Sequence, residues 1–214
     1  MHLAQPDVSL PELTCRYCGR LLTAVVMGWL LIAVHAAPPM AAIQAAPMAV
    51  TAPSTTAQES RVKAAYLVKF TQYTTWPATA FASDNAPLII GIVGSGPLSA
   101  DLEQESRPIA KPRSIEIRLV ATPEEAASCH AIFFSRTDNR IEEAWLLALR
   151  NTPVLTVAES DHAIEHGAVI RFVMEGKKIR FEVSRPAMER AGLKISSDML
   201  RYAKTVYNQP EASR

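Results

Sequence analysis

The sequence predicts an α/β domain of three layers, in which a mainly parallel mixed sheet ends in a C-terminal antiparallel hairpin plus helices. Two observations support this fold class. Between residues 87 and 157, short apolar segments alternate with helical segments, which is typical of parallel strands joined by right-handed crossovers. At residues 168–183, two apolar-rich segments instead flank Glu175-Gly176, and this arrangement predicts a hairpin on the sheet.

Residues 1–36 have the pattern of a signal peptide. Arg16 and Arg20 precede an uncharged run at 21–34, and the tripeptide VHA that ends at Ala36 suits cleavage. An uncleaved inner-membrane anchor is the alternative, although the run is shorter than the roughly 20 apolar residues that cross a bilayer. We therefore expect the chain to be exported.

Residues 37–57 are rich in Ala, Pro, Ser and Thr and show no hydrophobic period. Such a segment cannot bury enough apolar surface to offset its loss of conformational entropy, so we expect a disordered linker. A single folded domain is then predicted at 58–208, which is long enough to build one hydrophobic core.

The first half of the domain begins with a helix. Apolar residues recur at three- and four-residue spacing in 58–75, and Pro77 forces the chain out of the helix. A continuous apolar run at 88–93 then predicts a strand that is covered on both faces. The turn Gly94-Ser95-Gly96 leads into a second helix at 98–105.

The strand and helix pattern repeats further along the chain. Alternating apolar residues predict a second strand at 115–119, Thr122 is placed to cap a short helix, and a third strand is expected at 131–134. A helix at 141–149 and a strand at 154–157 complete the parallel part of the sheet.

The C-terminal part of the domain starts with the hairpin strand at 177–183. Ser184 is placed to cap a helix at 185–191, because Pro186 suits the first helical turn. A last helix is predicted at 198–207, where apolar residues again recur with helical spacing.

Charge and cysteine content exclude several classes of partner and cofactor. The 214 residues include 22 basic and 21 acidic side chains without a basic stripe, so nucleic acid is not expected to bind.

Cys15 and Cys18 form a CxxC inside the leader with no second ligand pair, and we expect no metal or other cofactor. Cys129 is expected to be a buried residue at the start of a strand, with an intermolecular disulfide as the alternative.

Two short motifs contain residues that are common in active sites. Ser160-Asp161-His162 has the residue types of a hydrolase triad, but adjacency along the chain does not make side chains converge, and no GxSxG elbow is present. His162 and His166 lack the glutamate position of HExxH. We therefore expect a solvated loop here and no enzymatic activity.

Glycines follow the first predicted strand in the order GxxGxG, ending at Gly96. This order differs from the GxGxxG of dinucleotide-binding folds, and Pro97 removes one amide donor from the following helix. A tight turn is the expectation. The alternative is a small-molecule site formed by Gly94, Ser95 and Gly96, because ligands of open α/β sheets bind in the crevice beyond the strand ends.

Six segments of the sequence resemble, in order, the YfiR family of periplasmic regulators, over most of residues 60–205. They are VKAAYLVKF (62–70) followed by Trp76-Pro77, PLIIGIVG (87–94), CHAIFFS (129–135), LTVAES (155–160), IRFEVS (179–184) and GLKISSDMLRYAK (192–204). The resemblance implies a non-enzymatic α/β domain that binds the periplasmic part of an inner-membrane diguanylate cyclase. Such a regulator represses the cyclase and lowers the cyclic di-GMP signalling that controls biofilms.

The resemblance also admits an outer-membrane lipoprotein and a second copy of the chain, forming a homodimer, as partners. Family members often carry disulfide cysteines, and this chain departs from them because Cys129 is the single cysteine after the leader.

A protein partner is expected to contact the outward face of the terminal hairpin and the helix that follows it. Ile170, Glu182 and Met188 are the candidate partner-binding residues, because together they offer apolar and acidic groups. Glu182 should point outward, since its neighbours Phe181 and Val183 should point inward. For Ile170 and Met188, burial in the core is the alternative.

Overall fold

The computed structural model describes residues 54–94, 96–107 and 113–209. The predicted signal peptide and the linker up to residue 53 lie outside these residues, as does Ser95. Within them, no helix combines the length and the apolarity needed to cross a membrane.

Six helices and nine strands are present among the described residues, together with a single 3-10 turn at Ala78–Ala80. The helices are α1 (Thr55–Tyr73), α2 (Leu98–Ser106), α3 (Pro123–Ala127), α4 (Asn139–Leu149), α5 (Arg185–Arg190) and α6 (Ser197–Leu200). The strands are β1 (Thr74–Thr75), β2 (Leu88–Gly94), β3 (Ile115–Leu119), β4 (Ala131–Ser135), β5 (Leu155–Ala158), β6 (Ile170–Glu175), β7 (Lys178–Ser184), β8 (Lys194–Ile195) and β9 (Thr205–Tyr207).

Seven of these strands form one sheet in the order β3-β2-β4-β5-β6-β7-β9. Neighbours from β3 to β6 are parallel, β6 and β7 form the antiparallel hairpin, and β9 returns parallel to β7. The remaining strands, β1 and β8, form a separate antiparallel pair. The predicted α/β class with a mainly parallel mixed sheet is confirmed.

Helices bury both faces of the sheet, which is why the inner parallel strands β2, β4 and β5 are predominantly apolar, whereas the edge strand β3 alternates apolar and charged residues. Buried side chains of α1, α2 and α5 pack on one face, and those of α3 and α4 pack on the other. Helix α1 is seated by aromatic contacts with the hairpin. The Phe70 ring lies 5.6 Å from that of Phe172 and 5.0 Å from that of Phe181, distances at which aromatic pairs attract.

The first helix differs from its prediction at both ends. It begins at Thr55 rather than at residue 58, because the Ser54 side chain accepts a hydrogen bond from the Ala57 amide at 3.3 Å and caps it. It ends at Tyr73 rather than at 75. Thr74 and Thr75 pair instead with β8, the apolar segment that follows α5.

The predicted last helix at 198–207 is wrong. Ser196 caps one short turn, α6, and the chain then extends into β9 with Val206 opposite Val183 on β7. The exposed edge of β7 offers a ladder of backbone hydrogen bonds, and β-branched residues such as Val206 favour a strand.

A close approach between β2 and β4 should make Gly94 irreplaceable. Its φ is +98°, and an added Cβ would collide with the Ser135 carbonyl oxygen. We expect Gly94→Ala to lower the free energy of unfolding by more than about 2 kcal/mol, measured by urea denaturation.

The matched control is Gly176→Ala at the hairpin turn, where φ is +60° and no atom lies within 4 Å of an added Cβ. Backbone strain alone should then cost about 1 kcal/mol. Equal losses in the two variants would contradict the collision at Gly94.

Candidate functional site

The three predicted partner-binding residues are buried. Ile170, Glu182 and Met188 expose 0%, 4% and 9% of their surface, so the expectation that they form an exposed face is wrong. Ile170 pairs with Val183, and Glu182 pairs with Arg171, which places Ile170 and Glu182 on opposite faces of the sheet. A role for these residues in partner binding stays a prediction.

Glu182 belongs to a buried ion pair that joins three strands. Arg171 donates from Nε at 3.1 Å and from Nη2 at 2.6 Å to Glu182 Oε2, and the Tyr207 hydroxyl donates to the same oxygen at 3.2 Å. Arg171 Nη1 also donates to the Asp161 carbonyl oxygen. The network therefore connects β6, β7, β9 and the loop after β5, and it explains why an outward-pointing glutamate is covered.

A surface groove lies between α1 and the edge of β7, and we call it the α1–β7 groove. Its volume is about 320 Å³, which lies at the lower end of the range that is typical of ligand pockets. Tyr73 and Tyr202 stand at its rim, and Tyr202 exposes 76% of its surface. The lining residues are Tyr66, Lys69, Phe70, Tyr73, Arg180, Phe181, Asp198, Met199 and Tyr202.

The backbone of β7 is open beside this groove. Strand β9 pairs with Glu182, Val183 and Ser184, and among the described strands none covers the first half of β7 on that side. The Phe181 carbonyl accepts a hydrogen bond from the Lys204 amide. Because backbone groups alternate in direction along a strand, Ile179 points its amide and carbonyl toward the open edge.

Basic side chains outnumber acidic ones around the groove. Glu175 is shared by Arg180 at 3.4 Å and Lys204 at 3.9 Å, and Asp198 is paired with Arg201 at 2.5 Å. Lys69 and Lys178 make no ion pair within the described part of the chain. The groove thus offers aromatic surface, free backbone groups and excess positive charge.

The predicted site at the first glycine turn lies at the carboxyl ends of the parallel strands. Gly94 is paired with Ser135 at the end of β4, and the positive φ values of Gly94 and Gly96 turn the chain toward α2. A crevice of about 70 Å³ opens next to this turn. It is lined by Thr56, Glu59, Ser60, Lys63, Pro97, Leu98, Phe133, Ser135, Arg136 and Glu159, and not by the glycines themselves.

A larger cavity of about 800 Å³ opens at the amino ends of β2 and β3, beside Trp76 and Phe81. Arg113 lies 3.8 Å from the centre of the Phe81 ring, and the His130 ring stacks on the Phe81 ring at 4.3 Å. His130 accepts from the Ile89 amide and lies 3.0 Å from the Ala80 carbonyl. Burial lowers the pKa of His130, which favours the neutral ring. No hydrophobic period in the sequence points to this cluster.

The residues of the apparent hydrolase triad do not converge. Ser160 donates to the buried carboxylate of Glu142, while Asp161 offers its carbonyl oxygen to Arg171. Burial raises the pKa of Glu142. His162 contacts Glu165 at 3.2 Å on an exposed turn, so these groups form separate contacts.

Two further sequence expectations concern metals and thiols. Within the described ranges, no three His, Cys, Asp or Glu side chains cluster as metal ligands would. Cys129 is buried just before β4, as predicted, and burial raises the pKa of its thiol. The thiol lies 3.5 Å from the Glu125 carbonyl oxygen.

The sequence matches a known family. The profile of the family described as YfiR/HmsC-like matches residues 60–204, from the first turns of α1 to the residue before β9. The chain belongs to the YfiR/HmsC-like family. No curated protein matches the chain.

Two solved structures are similar to parts of this YfiR/HmsC-like chain. A conserved domain protein from Vibrio cholerae has a TM-score of 0.48 at 12% identity, covering 69% of this chain and 60% of that protein. An ABC domain in complex with L-Trp from Streptococcus pneumonia has a TM-score of 0.40 at 15% identity, covering 55% of this chain and 54% of that domain. The chain therefore spans less than two thirds of either protein.

Removing the charge of Glu182 should destabilise the domain, because Arg171 would stay buried without its counter-ion. We expect Glu182→Gln to lower the free energy of unfolding by about 2–3 kcal/mol, measured by urea denaturation. The control is Glu175→Gln, whose partner Arg180 is exposed, with an expected loss under about 1 kcal/mol. Losses of equal size would show that the buried pair adds nothing beyond an exposed one.

Proposed function

We propose that this protein is a periplasmic, non-catalytic regulator that binds the periplasmic part of an inner-membrane diguanylate cyclase and holds the cyclase inactive. Membership of the YfiR/HmsC-like family carries this proposal, since the match extends over nearly the whole described domain. The signal-peptide pattern of residues 1–36 supports a periplasmic location. An outer-membrane lipoprotein and a second copy of the chain stay further predicted partners.

We infer that the cyclase contacts the α1–β7 groove rather than the buried residues of the hairpin. Aromatic side chains such as Tyr73 and Tyr202 are enriched at protein interfaces, and free strand edges accept an added backbone segment. The excess of basic groups around Lys69 and Arg180 favours an acidic partner surface. In this proposal Glu182 acts indirectly, because its ion pair fixes the strand that borders the groove.

Cellular cyclic di-GMP in the source bacterium tests this function. Deletion of the gene should raise cyclic di-GMP, and the full-length gene should restore the original level. A copy of residues 37–214 with a start Met should fail to restore it, because the regulator would stay in the cytoplasm. No rise on deletion under several growth conditions would contradict the repressor function.

The same assay tests the groove. Tyr202→Ser combined with Lys69→Glu should leave cyclic di-GMP close to the deletion level, although the protein is exported and folded. The control combines Leu147→Ser with Arg140→Glu on α4, which also removes exposed apolar surface and reverses a charge. Full repression by the groove variant, or equal loss in the control, would place the contact elsewhere.

A further inference from the structure

The crevice beside α2 lies at the topological switch point of the sheet. Strand β2 lies between β3 and β4, so the connection from β2 to β3 and the connection from β4 to β5 run in opposite directions across the sheet. The crevice borders the ends of β2 and β4, at Gly94 and Ser135. Open α/β sheets bind ligands outside the carboxyl ends of their strands at this position.

A buried hydroxyl in the crevice wall lacks a partner. Ser60 exposes 7% of its surface, and its Oγ makes no hydrogen bond within the described part of the chain. A buried polar atom without a partner is costly, and most such atoms in folded proteins are paired. Its partner is therefore expected from outside the chain, in the space that the crevice encloses.

The start of α2 supplies further hydrogen-bond donors. The other five described helices each begin with a Ser, Thr or Asp side chain that caps a backbone amide, whereas α2 begins at Pro97 without a side-chain cap. The first-turn amides of this nine-residue helix are thus not capped by a side chain, and they carry the positive end of the helix dipole. Both Pro97 and Leu98 line the crevice.

Arg136 lines the opposite side in an unusual conformation. Its φ of +49° is the single positive value among the described residues other than glycine. A side chain in this region is strained, and such strain concentrates at functional sites. The guanidinium is exposed and makes no ion pair within the described ranges.

The charged groups that line the crevice are two carboxylates, Glu59 and Glu159, and two basic groups, Lys63 and Arg136. Lys63 contacts Glu59 at 2.5 Å and Glu159 at 2.8 Å, so both carboxylates in the wall are occupied by its ammonium group. Within the described ranges, the Arg136 guanidinium makes no ion pair, the Ser60 hydroxyl makes no hydrogen bond, and the first-turn amides of α2 have no side-chain cap. All of these can donate to a single acceptor.

We propose that this crevice binds a small oxyanion, a phosphate or carboxylate group. Such groups accept several hydrogen bonds at once and bind at helix N-termini. The volume of about 70 Å³ admits the anionic group alone, so the remainder of a larger ligand would lie outside the crevice. This site is independent of the repressor function, which holds or fails separately.

Isothermal titration calorimetry on the purified protein tests the site, with inorganic phosphate and acetate as the two probes at constant ionic strength. We expect saturable binding of at least one probe. Phosphate binding alone would identify a phosphate group, and acetate binding alone a carboxylate. No saturable binding of either probe up to about 10 mM would overturn the proposal.

Variants locate the binding. Arg136→Gly removes the guanidinium and suits the positive φ, so it should fold, and Ser60→Ala removes the unpaired hydroxyl. Each should weaken binding by about 10-fold or more, since each removes a donor to an anion. Arg140→Ala on α4 is the control and should bind normally. Unchanged affinity in both crevice variants, or equal loss in the control, would overturn the proposal.

Discussion

The contact of Phe70 with the rings of Phe172 and Phe181 holds helix α1 on the sheet. The crevice, the α1–β7 groove and the large cavity all depend on the position of this helix. The first turns of α1 supply Ser60 to the crevice, its middle supplies walls of the α1–β7 groove, and its last turn borders the large cavity near Trp76. Aromatic pairs at these distances attract one another beyond the effect of the area that they bury. The aromatic contact therefore fixes the crevice, the groove and the large cavity together.

The parallel part of the fold could be predicted from the sequence because its inner strands are short apolar runs that helices must cover on both faces, and the edge strand β3 alternates apolar and charged residues. Strand β9 could not be predicted, because Val206 fits a helical period as well as a strand. The strand forms because its backbone pairs with the edge of β7. The pair β1 and β8 joins two-residue segments that are distant in sequence, and such segments carry no periodic signal.

For the candidate sites as well, local sequence patterns could be interpreted, but contacts between distant residues could not. Strand alternation predicted that the Glu182 side chain points to the other face of the sheet from Phe181. It could not predict that the Arg171 side chain and the Tyr207 hydroxyl cover Glu182, because these residues are distant in sequence. The crevice was anticipated at Gly94 and Gly96 from the rule on strand ends. The polar residues of the crevice wall were not predicted, because Ser60 and Lys63 belong to a helix whose position depends on tertiary contacts.

We propose that a diguanylate cyclase covers the α1–β7 groove. Hydrogen exchange of the purified protein, measured alone and with the periplasmic part of the cyclase, distinguishes this surface from the others. Exchange should be slower in the complex at residues 66–73, 178–181 and 199–202 and unchanged in α4. Slower exchange confined to α4 or to other segments, with these three unchanged, would show that the cyclase does not cover the groove.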